Sequence, residues 1–139
     1  MAVTKQLYYL PRDAALPYIR VSKIVRLDET ARDAEFNFHA FASKESAAKP
    51  GVVGDQVGVM RFQQGAFDAY FSKAVLSAPG APNPYAQAYI AAKDWTAANL
   101  RRRSGLHDTD LTPAELTLIH GAFVSGPFGE SLFVGASDV

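Results

Sequence analysis

Over residues 21–43 apolar and polar positions alternate on both sides of a polar segment, which predicts two amphipathic strands folded back on each other. Successive strand side chains point to opposite faces. That rule puts Val21, Lys23, Val25 and Leu27 on one face of the first strand, with Ser22, Ile24 and Arg26 on the other. In the second strand Ala34, Phe36, Phe38, Ala40 and Ala42 share a face, opposite Glu35, Asn37, His39 and Phe41. The intervening Asp28-Glu29-Thr30-Ala31-Arg32-Asp33 is polar and suits Asx-type turn bonding. It holds no Asn-Gly or Asp-Gly pair, so a loop of about four residues or longer is expected. Arg26 and Arg32 flank the acidic residues of this turn and are expected to pair with them.

The remaining pattern fills in an α+β domain. Residues 3–10 read as a first strand stopped by Pro11, and residues 12–17 as a connection. Ser43 is placed to cap one helical turn that ends at Lys49-Pro50-Gly51. Residues 56–62 alternate as another strand, in which Gly58 marks a bulge or close packing. Phe67, Tyr70, Phe71 and Ala74 recur at helical spacing and predict a helix to Leu76. A proline-rich loop over residues 78–84 leads to a second helix over about residues 85–102, with Tyr85, Tyr89, Ala92 and Trp95 on its buried face. Thr112-Pro113-Ala114-Glu115 combines an N-cap, a first-turn proline and a capping-box glutamate, so a helix runs from there to His120, with Gly121 as its stop. Residues 131–134 are expected to add an edge strand. The fold class is therefore α+β: an antiparallel β-sheet built on a central hairpin, with two to three packed helices in the C-terminal half, as one domain over residues 1–139.

Composition narrows the partners. Fourteen Lys+Arg balance fourteen Asp+Glu, so no net field draws the chain to nucleic acid or anionic lipid. The absence of cysteine excludes disulfides and thiolate chemistry and suits a reducing compartment. No apolar run approaches the roughly 20 residues of a membrane span, and the N-terminal segment lacks a secretory apolar core. The chain is expected to be soluble, without a signal peptide.

Candidate chemistry is sparse. His107, Asp108 and Asp110 form the best metal-binding candidate; the competing reading gives the two aspartates turn bonds and leaves the histidine solvated. No serine sits in a nucleophile elbow, and no glycine pair has the lysine of a phosphate-binding loop. Arg101, Arg102 and Arg103 form the one basic run, placed to contact the phosphates of a nucleic acid, to complement a helix C-terminus or to anchor an interface. Nine phenylalanines and six tyrosines exceed what a small core needs, which points to a subunit interface as well as to packing. The interface residues expected on this basis are Phe41, Phe67, Tyr70, Phe71, Arg101, Arg102, Phe128 and Phe133.

The run from Ser22 through Asp28, then Ala31 through Ala47, resembles small structural proteins of tailed bacteriophages. Phe67-Asp68-Ala69-Tyr70-Phe71 and the Ala-Tyr segment ending at Lys93 add to the likeness, which covers about residues 20–95. The resemblance implies a non-enzymatic virion component of the tail, baseplate or fibre-attachment region, present in repeated copies. It implies no cofactor, metal or catalytic residue, and partners that are other copies of the chain and neighbouring virion proteins. Nucleic acid, membrane and small-molecule substrates are not expected. The alternative is a small metal-dependent enzyme or ligand-binding domain using the His107/Asp108/Asp110 loop.

Overall fold

The computed structural model describes residues 2–105 and 107–138. Its framework is a six-stranded antiparallel sheet, strand order β7-β6-β5-β4-β1-β8. The central hairpin is β4 (Tyr18–Asp28) and β5 (Asp33–Phe41). The outer members are β1 (Val3–Thr4), β6 (Asp55–Gln63), β7 (Ala122–Ser125) and β8 (Ser137–Asp138). The Asx-type turn forms between the hairpin strands: Asp28 Oδ1 accepts from the Thr30 and Ala31 amides at 2.9 and 3.0 Å.

Alternation is obeyed along β5, where Ala34, Phe36, Phe38 and Ala40 are completely buried. Along β4 it is broken twice. Val21 pairs with Phe38 and Lys23 with Asn37, so Ser22 is an extra residue; Ile24 pairs with Phe36 and Arg26 with Glu35, so Val25 is another. Each bulge moves the following residues to the opposite face. Ile19, Val21, Ile24 and Leu27 therefore share the core side, and Lys23 and Arg26 the outer side. This corrects the assignment by simple alternation, which grouped Val21, Lys23, Val25 and Leu27.

Helices cover the core side. The Phe67 stripe forms a helix, but two segments replace the single one expected: α1 is Lys44–Ala48, α2 Gly65–Phe71 and α3 Lys73–Leu76. The break is Ser72, whose extended backbone (ψ 155°) ends one helix while its hydroxyl caps the next. Ala74 consequently lies exposed. The long helix α4 (Pro84–Arg103) starts at an Asn83 cap and follows the expected stripe at Tyr89, Ala92 and Trp95, whereas Tyr85 is 47% exposed. At α5 (Pro113–Gly121) both capping-box bonds form, at 3.1 and 2.9 Å.

Phe71 of α2 is the centre of the core, with ring centroids 4.9 Å from Phe36 and 5.0 Å from Phe62. At the other end Phe38 meets Phe133 at 4.8 Å and Tyr89 at 6.1 Å. Leu132 and Phe133 come from a turn region after Gly129, and both are buried. The strand expected at residues 131–134 is thus absent. Its residues instead plug the sheet, and a Cβ at Gly58 would lie 2.5 Å from Leu132 Cδ2. Gly58 is needed for that close approach, and a register shift lies beside it, between Phe38 and His39.

The N-terminal region also departs from a single strand. After β1 it turns into a two-stranded ribbon of β2 (Tyr8–Tyr9) and β3 (Ala14–Ala15). Pro11 sits in the connecting 3₁₀ turn, and Asp13 adopts a left-handed conformation (φ 49°) that reverses the chain.

Phe71→Ala should lower unfolding free energy in urea by about 3–5 kcal/mol, the cost of an unfilled aromatic site. Phe123→Ala, which removes a ring that is 51% exposed, should change it by less than about 1 kcal/mol.

Candidate assembly surface

Most of the aromatic residues expected at an interface are inside the protein. Phe67 and Phe71 are each 1% exposed, and Phe41 and Phe133 each 4%. The physical reason is that a sheet with helices on one side buries more aromatic volume than separate stripes reveal. Phe41 points to the outer side of the sheet, yet it is covered there: Arg20 stacks on its ring at 5.6 Å and Gly54 packs against its edge. Phe128 is half-buried against Tyr9, with centroids 6.3 Å apart. Tyr70 is half-buried and donates its hydroxyl proton to Asp94 at 2.6 Å; burial, then that carboxylate, raise its pKa.

The basic run is answered within the chain. Arg101 lies 3.3 Å from Glu115, Arg102 4.0 Å from Asp108, and Arg103 pairs with Glu130. Arg101 and Arg102 remain partly exposed, but each faces a carboxylate rather than an open surface. Glu115 is held below the ordinary carboxylate range by the Thr112 amide, with smaller contributions from the Thr112 hydroxyl and Arg101.

In the His107 loop, Asp110 Oδ2 accepts from the His107 amide at 3.1 Å, and the Asp110 amide donates to the His107 carbonyl at 2.9 Å. These are turn bonds. Among the described residues no group of three His, Cys, Asp or Glu side chains is arranged to hold a metal ion.

On the outer side of the hairpin Arg26, Asp33, Glu35 and Arg61 form a square of alternating charge. Arg26 donates to Asp33 at 2.8 Å and to Glu35 at 3.0 Å, while Arg61 reaches the same carboxylates at 3.2 and 3.4 Å. Arg32 turns away to Asp68 and Gln64 of the α2 region instead of pairing within the turn. That contact, first through its hydrogen bond, holds Asp68 below the ordinary carboxylate range.

One surface that stays open is the edge of β4. Its neighbour β1 reaches only Tyr18 and Ile19. At Val21 the Tyr89 hydroxyl takes over, accepting the amide at 2.5 Å; burial pushes that phenol's pKa up to about 12, so it stays protonated. On the edge away from β5, no strand of the described residues lies alongside Ser22 to Asp28, and Val25 and Leu27 are 37% and 39% exposed. Beside Leu27 a groove of about 370 Å³ is lined by Phe67, Phe71 and Leu76. Other exposed apolar side chains include Leu10 in the turn of the N-terminal ribbon, Phe123 next to Arg61 on the outer face, and Val53 in the loop before β6.

One contact escaped sequence reasoning altogether: the Ser22 hydroxyl meets His39 Nδ1 across the hairpin. Alternation puts both residues on the outer side, but the bulge at Ser22 sets how they meet. The same hydroxyl donates to the Asn37 carbonyl at 3.2 Å. Ser22, His39 and the Asn37 carbonyl thus form a clasp across the two strands of the hairpin.

No protein-family model, curated protein or solved structure matches this chain. Among the described residues no helix is long and apolar enough to cross a membrane.

Burial lowers the His39 pKa below its ordinary 6.5, against a smaller opposing pull from Asp55. The folded state therefore disfavours the imidazolium. Its contribution to stability is full above pH about 6.5 and is lost as pH falls below that value toward the depressed folded pKa. Thermal melts should show a fall between pH 7 and 5 that is shallower in His39→Gln, and an NMR titration should place the imidazole midpoint below 6.5.

Proposed function

We propose that this chain is a non-enzymatic structural component of a tailed-phage virion, of the tail, baseplate or fibre-attachment type, acting through protein–protein assembly. The observation that carries the assembly part is the open β4 edge from Ser22 to Asp28, with exposed Val25 and Leu27 beside an apolar groove. A long strand edge left uncovered is a template for pairing with another chain, because its amides and carbonyls have no strand partner. Zero formal net charge leaves little long-range repulsion against close association of copies. The virion part comes from the likeness of residues 20–95 to small phage structural proteins. Its partners are copies of itself and neighbouring virion proteins.

Mass spectrometry of purified phage particles that encode the chain should detect it at a fixed ratio to the major tail proteins. Its absence from intact, infectious particles overturns the virion reading.

A further inference from the structure

We propose that two copies of this chain join through the open edges of β4, antiparallel, in the register that sets Lys23 of each opposite Asp28 of the other. This rests on the assembly reading above and names the partner, a second copy.

The charges select the register. Arg26, Arg32 and Arg61 each have a carboxylate within the chain. Among the described residues Lys23 and Asp28 have no ion-pair partner, and both lie exposed on the same strand. Asp28 uses Oδ1 for its turn bonds, which leaves Oδ2 for a cation. An antiparallel copy related by a two-fold axis makes the Lys23–Asp28 pair twice.

The faces agree with the charges. Lys23 is on the outer side, and Ile24 and Leu27 are on the core side, because of the two bulges. Setting Lys23 opposite Asp28 also sets Ile24 opposite Leu27, apolar against apolar, with Val25 opposite Arg26. A shift of one residue in one direction puts Ile24 against Arg26 and Lys23 against Leu27, and in the other direction it puts Arg26 against Arg26 and Ile24 against Asp28, so each loses the Ile24–Leu27 pair and sets apolar against charged or like against like. The Ile24–Leu27 pair lies beside the groove bordered by Leu27, Leu76, Glu29 and Lys73, whose floor is the buried Phe67 and Phe71. The bulges and Lys23 discourage an arbitrary strand from adding here. A copy that answers each Lys23 with a carboxylate overcomes that discouragement, so the edge is selective.

Light scattering after size exclusion should show a dimer. Lys23→Asp and Asp28→Lys should each weaken dimerisation about tenfold or more, because each sets like charges opposite one another; the two combined should restore it. Asp28 also holds the turn, so circular dichroism must show that its variant is folded. A second measurement avoids Asp28. The chain has no cysteine, so Ile24→Cys mixed with Leu27→Cys should give an oxidised cross-linked dimer, while neither variant does so alone. A monomer at every concentration overturns the proposal. So does a dimer that is indifferent to both charge reversals and fails to cross-link in the mixture. A monomer that is nevertheless found in particles overturns this inference and leaves the virion reading standing. A cross-linked dimer absent from particles does the reverse.

Discussion

Burial of the inward row of β5 is the constraint on which the other elements depend. Ala34, Phe36, Phe38 and Ala40 are wholly withdrawn from water in the middle of the sheet. A phenylalanine buried in full contributes about 1.5–3 kcal/mol through the hydrophobic effect, so two of them on one strand demand a matched cover. Phe71 of α2 wedges against Phe36 and Phe62, and Phe133 and Tyr89 close over Phe38. The cover comes from three distant parts of the chain, and each is held by contacts of its own. Tyr89 is tied to the Val21 amide, and Leu132 is seated over the bare backbone of Gly58.

The same arrangement explains why the outer side of the sheet is polar and internally paired. With one side consumed by helices, β4, β5 and β6 turn Lys23, Arg26, Glu35, Asn37, His39 and Arg61 outward. Four of those strands' charges close into the Arg26–Asp33–Glu35–Arg61 square, which limits what another molecule gains electrostatically by docking on that face. The edge of β4 is different. There the backbone has no neighbouring strand, because β1 is only two residues long and no other strand among the described residues takes its place. An assembly role therefore belongs to the edge more than to the face.

How much of this was legible depends on the distance over which each signal acts. The hairpin, its polar turn, the Ser43 and Thr112 caps and the long alanine-rich helix all follow from residues within one or two turns of each other. Those elements stand in the structure. The candidate site was less legible. A one-dimensional pattern marks Phe67, Phe71 and Phe133 as interface residues because it counts apolar residues without knowing how much sheet must be covered. The open edge was hidden by the opposite difficulty: it exists because residues after Thr4 leave the sheet for a separate ribbon, which no local pattern near Val25 records.

By itself the sequence determined the alternation of β5, the position of the turn, the helix starts and the absence of thiol chemistry, since these rest on side-chain periodicity, capping groups and composition. Tertiary structure decided the two bulges of β4, and with them which of Lys23, Ile24, Val25 and Leu27 face the core. It also decided that residues 131–134 plug the sheet rather than extend it, and that residues 122–125 supply the edge strand beside β6. The reason is common to all of these. A register shift, a plug over a glycine and a free edge are each relations between segments far apart in sequence, set by which combination leaves the least apolar surface in water.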